Sequence, residues 1–193
     1  MKFTTYDEVL KDSIALNVQG RFSDELQQLH ALGFNEEFYL RETAFPFSAL
    51  LLFPILVLMH FAGERVSVGG LLQVMSYSPH VIHENGYVCG VITKLGVRYM
   101  SMFDDGTLLS TTTYHSSSSS NPDKRFISQY FLSGGIELAW KQHVQRVDTL
   151  TGEGRSVIVP IGMKDLTRME KRYNQIILGF MPDDLKEKRK NHE

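Results

Sequence analysis

Hydrophobic positions recur with a helical period near both ends of this chain, with a two-residue period in its middle, and without a break in one run between. Near the start, Thr5 and Glu8 have the three-residue spacing of a capping box, in which a hydroxyl and a carboxylate satisfy each other's orphan amides. Val9, Leu10 and Ile14 follow as an apolar stripe, which predicts a short helix lasting until Gly20. Ser23 opens a second helix carrying Leu26, Leu29 and Leu32, with Gly33 as its left-handed stop and Phe34 as the contact behind that stop. Helices this short are marginal alone. Residues 1–43 therefore read as an amphipathic helical head whose apolar faces need a membrane surface, a larger domain or another subunit.

The unbroken run covers residues 44–63, which carry no formal charge between Arg41-Glu42 and Glu64-Arg65. Its length matches the hydrocarbon core of a bilayer. The apolar side chains surround the axis instead of forming a stripe, which fits a membrane-type helix better than a half-buried surface helix. Pro54 removes one backbone hydrogen bond and kinks such a helix, and His60 adds a polar group near its end. The expectation is a transmembrane or re-entrant segment; the alternative is a fully buried core helix. Residues 64–84 are also poor in charge, but Gly69, Gly70, Gln73, Ser76, Ser78 and Pro79 make them a connector rather than a second span.

From Asn85-Gly86 onward the period becomes two. Residues 87–93, 97–103 and 107–113 are β-branched and aromatic runs parted by Lys94-Leu95-Gly96 and by Asp104-Asp105-Gly106, which predicts an antiparallel β-meander. A serine tract at 116–120 reads as a surface loop, and a fourth strand is expected over 125–131. Ile136, Trp140, Val144, Val147 and Leu150 restore the helical period over 136–150. A short strand over 156–160 and a helix over 165–178 with Leu166, Met169, Tyr173 and Ile176 complete an α+β domain over 85–181. Residues 182–193 are a charged tail. The predicted fold is thus an antiparallel meander packed by two helices, preceded by the membrane-type helix and two short amphipathic helices.

Composition changes this picture little. With 42% hydrophobic and 22% charged residues and a net charge of −2, the chain is neither a disordered protein nor an electrostatic nucleic-acid binder. Residues 1–43 hold four Lys/Arg against eight Asp/Glu, a contrast too mild to name a partner. The single cysteine, Cys89, cannot form an intrachain disulfide, and the first residues lack the apolar run of a signal peptide. Arg21 and Arg41 before the apolar run and Arg65 after it give little orientation. A kinked re-entrant insertion leaves both flanks on one side, so the main domain is expected at the membrane and facing the cytosol. There the basic tail would meet anionic headgroups.

Candidate chemistry is sparse. His80, His83 and Glu84 form an H-x-x-H-E string, and histidines three apart bind metal when one helical face presents them. Turn signals surround these, so no metal site is expected. His143, with Trp140 three residues before it and Arg146 three after, is the best candidate for a ligand-binding groove, since Trp and Arg are good anchors. The apolar stripe claims Trp140 for the core and leaves Arg146 to solvent. Asp104 and Asp105 belong to a turn, where Asp serves the backbone, and Cys89 sits in a strand as an inert thiol. No glycine pattern supports nucleotide binding, and no cofactor is implied. The reading is a membrane-anchored, non-enzymatic binding or assembly module with the lipid bilayer, and a protein partner or a second copy, as partners. The alternatives are a soluble ligand-binding protein or enzyme built around residues 44–63, and a subunit of a larger complex.

Overall fold

A computed structural model describes residues 2–14, 20–46, 74–114, 124–160 and 162–177, a mixed α and β arrangement with a mostly antiparallel sheet and three helices. In chain order these are β1 (Lys2–Val9), α1 (Ser23–Ala31), β2 (Phe34–Pro46), β3 (Val74–His83), β4 (Cys89–Thr93), β5 (Gly96–Phe103), β6 (Leu108–Thr112), β7 (Phe126–Tyr130), α2 (Gly135–Gly152), β8 (Val157–Ile158) and α3 (Met163–Ile177). Strands β1 to β7 lie side by side in that order. All neighbouring pairs are antiparallel except β6 with β7, which is parallel. Strand β8 pairs with the end of β5 at Met102 and Phe103, on the edge that β4 leaves beyond Met100.

The expected helix behind Thr5 is strand β1 instead. Thr5 lies opposite Thr43 and Glu8 opposite Leu40, so the supposed capping pair is part of a ladder running from Lys2 with Pro46 to Val9 with Tyr39. The Phe-Thr-Thr-Tyr stretch suits a pleated surface, and β2 supplies the partner that local sequence does not reveal. The connector is corrected likewise, because Val74 to His83 form β3. Pro79 has no N–H to give a ladder. It sits next to His80, where the pairing with β4 stops, and faces only Tyr39 of β2. Beyond that point β1, β2 and β3 continue as a three-stranded ribbon that ends at Lys2, Pro46 and Val74.

Residues 44–46, the start of the expected membrane-type helix, belong to β2, and residues 47–63 lie outside the described residues. Among the described residues no helix is long and apolar enough to cross a membrane. The later elements fall where the periodicity puts them. Phe103 N–H donates to the Thr107 carbonyl around Gly106, whose φ of +79° is the left-handed geometry the Asp-Gly turn requires.

Both faces of the sheet are covered over β3 to β6. Helices α1 and α2 lie on one face, where Leu26, Leu29, Phe34, Val81, Ile92, Val97, Tyr99 and Ala139 form the core. On the other, α3 brings Leu166, Met169, Tyr173 and Ile176 onto Ile82, Cys89, Val91, Met100, Met102 and Leu108. Strand β5 is buried on both sides, which explains its uninterrupted burial from Val97 to Phe103.

Candidate functional site

Alternation along β5 sends Arg98 toward α3 and Ser101 toward α2, and each meets a buried polar cluster. On the α3 side, Glu170 occupies the helical stripe four residues after Leu166 and three before Tyr173. Its Oε1 accepts from the Arg98 guanidinium and lies 3.1 Å from His80 Nε2. The guanidinium stacks on the Tyr173 ring, with Cζ 3.8 Å from the ring centroid. His80, Arg98 and Glu170 are all buried. Burial by itself would raise the Glu170 pKa; the Arg98 charge and the His80 contact outweigh it and hold the carboxyl below its ordinary range. The His80 Nδ1 lies 3.0 Å from the Ser78 carbonyl, so both ring nitrogens face acceptors.

On the α2 side lies a one-directional hydrogen-bond chain. Gln129 Nε2 of β7 donates to Thr111 Oγ1 of β6 at 2.8 Å. The Thr111 hydroxyl lies 2.8 Å from His143 Nδ1, and His143 Nε2 lies 3.0 Å from Ser101 Oγ. Ser101 Oγ in turn donates to the Tyr87 carbonyl at 2.9 Å. These donors and acceptors fix the neutral tautomer with the proton on Nε2: Thr111 donates to the ring, and the ring donates to Ser101. Burial pushes the His143 pKa down to about 3, so the ring stays uncharged. Ser101 spends its proton on a backbone carbonyl and receives one from the imidazole. That is the reverse of an activated nucleophile, whose proton goes to the base.

The remaining candidates separate. His83 projects to the α2 face, opposite to His80, because three positions along a strand reverse the side. Its Nε2 donates to the Leu32 carbonyl at 2.9 Å and its Nδ1 accepts from Asn85 N–H at 3.1 Å, which ties β3 to the end of α1. Glu84 is exposed in the following turn. Among the described residues no group of three or more His, Cys, Asp or Glu is placed to hold a metal ion. Trp140 packs on the rings of His83 and Phe34, with centroids 4.5 and 5.0 Å away. His143 is fully enclosed and Arg146 partly exposed, so the three residues do not line a common groove. Asp104 Oδ1 accepts from Asp105 N–H and Ser156 N–H, while Asp105 meets Arg155 at 3.2 Å. Cys89 is fully buried, and burial raises its thiol pKa.

Fold and interior together define a three-layer α+β domain pinned by polar contacts on both faces of its central strand. Compared with known proteins, the chain matches no family model, no curated protein and no solved structure.

Proposed function

We propose that this protein is a non-enzymatic binding module attached to one side of a membrane through the apolar run that connects β2 to β3. The observation that carries this reading is the register of those strands: Ala44 lies opposite Val74, so residues 47–73 leave and re-enter the fold at neighbouring positions. Paired strand residues are about 5 Å apart, whereas a single crossing would separate its flanks by roughly 30 Å. An attachment of this kind leaves both flanks on one side. Glu64 and Arg65 stand four and five positions past His60, the middle of residues 47–73, in the part that a deep hairpin would carry into the bilayer. A charge at the bilayer centre costs about 2.5–3.5 kcal/mol even on the lowest scales, which favours a shallow, one-leaflet insertion. The non-enzymatic part of the reading rests on the interior: the imidazoles of His80 and His143 and the hydroxyl of Ser101 are buried and engaged with partners inside the layers.

The test joins partition to geometry. The full chain is expected to stay with membranes through carbonate extraction. In an Ala44→Cys/Val74→Cys variant, mild oxidation should link the two strands, so that tryptic fragments cut at Arg65 in detergent separate only after reduction. Release of the intact chain as a soluble monomer would sink the attachment, and failure to cross-link in the membrane fraction would sink the one-sided geometry.

A further inference from the structure

The outward face of α3 carries a second, unrelated feature. A cavity of about 540 Å³ opens between this helix and the β5–β6 turn, with Met102 and Gly106 beneath it and Lys164, Arg168, Lys171 and Arg172 along its wall. We propose that it binds a soluble small molecule bearing phosphate groups. The volume is in the range of small-molecule sites. The four cations recur at the one-face spacing of a helix, and the residues lining the cavity include no carboxylate. Of the two acids of the helix, Glu170 faces the sheet and is engaged by Arg98, and Asp165 lies in the first turn, outside the cavity's lining. Asp105, in the adjoining turn, is held by Arg155 and by Thr107 N–H.

The site is also partly organised in advance. Arg172 Nη2 donates to the Gly106 carbonyl at 3.4 Å, which fixes that guanidinium against the turn. Thr167 and Gln175 add uncharged donors on the same wall. Planar guanidinium forks and lysine point charges suit phosphate oxygens, whose bonds to them are charge-assisted. A soluble ligand is favoured over a lipid headgroup by position. Met102 lies about ten strand positions from the level of Val74, since Met100 pairs with Cys89 and Cys89 with Ile82. At roughly 3.3 Å per residue that is on the order of 30 Å, several times the ~8 Å screening length of physiological salt. The site itself does not depend on the membrane reading.

Titration calorimetry of the full chain with inorganic pyrophosphate tests it. Saturable binding at one site per chain is expected, weakened at least tenfold in Arg168→Gln/Lys171→Gln. It should stay within twofold in Lys141→Gln, a control on α2 whose ammonium pairs with Glu137. Both replaced residues on α3 are exposed, so the urea midpoint of the double variant should match the parent. Binding that is non-saturable, or equal in parent and double variant, overturns the site. So does tighter binding of phosphatidylglycerol vesicles or of a single-stranded oligonucleotide that pyrophosphate does not displace.

Discussion

The two buried polar clusters respond to substitution and to acid in different ways. Glu170→Gln leaves the Arg98 charge inside the protein without its counter-ion, and breaking one side of such a pair costs about 3–5 kcal/mol. Replacing both partners with Arg98→Met/Glu170→Leu removes two desolvation costs together and should recover most of that loss. Urea unfolding of Arg98→Met, of Glu170→Leu and of the double measures the coupling, and strict additivity would mean that the pair does not interact. His143 gives a pH signature. Its folded pKa, about 3, lies below the unfolded value near 6.5, so between these limits the unfolded state binds the extra proton. Its contribution is therefore complete above about pH 6.5 and declines as pH falls, by roughly 3 kcal/mol at pH 4. A His143→Gln variant should be less stable at neutral pH yet show a flatter loss of stability from pH 6.5 to 4. Parallel curves for parent and variant would contradict the assignment. The Glu170 contribution has a lower window: it is complete above the unfolded carboxyl pKa near 4.3 and is lost as pH falls below that toward its depressed folded value.

Among the elements, α3 holds its face of the sheet through an apolar stripe, and Leu166 is wholly buried in it. Leu166→Ala is expected to cost about 2–5 kcal/mol, lost transfer energy plus a cavity. Chemical denaturation of that variant checks this, and a loss under 1 kcal/mol would mean that α3 is not firmly docked. The elements most legible in the sequence are those whose signals are local. Strands β4 to β6 lie between Gly-containing turns, and α2 and α3 show their stripes directly. What escaped depends on distant partners. Lys2–Val9 becomes a strand because β2 aligns with it thirty or more residues later, while the Thr5 and Glu8 spacing imitates a helix start. The polar clusters were hidden for the same reason. Arg98 lies on the face of β5 that α3 covers, and the sequence does not say which face each of the two helices takes. Glu170 was more accessible to inference, since a carboxylate inside the stripe of Leu166, Met169 and Tyr173 asks for a buried cation. His143 could be singled out from sequence, but its neutral state follows from Ser101 and Thr111, which lie on two different strands.

For the whole molecule, the ribbon of β1, β2 and β3 has a practical consequence. The two strands that bracket residues 47–73 already pair up to Ala44 and Val74, so a short turn can join them there. Replacing residues 47–73 with Asn-Gly, so that Phe45-Pro46-Asn-Gly closes a four-residue loop between the paired Ala44 and Val74, should give a protein that folds, keeps the parent's acid profile and no longer partitions with membranes. Shortening the connection also lowers the entropy of closing it, by on the order of 1–2 kcal/mol. Thermal unfolding and flotation of the shortened chain check both halves, and a shortened chain that fails to fold would show that the excised residues are part of the core. If it folds, the excursion is an exchangeable cassette: a different address grafted between the same two strands would send the same body to another surface.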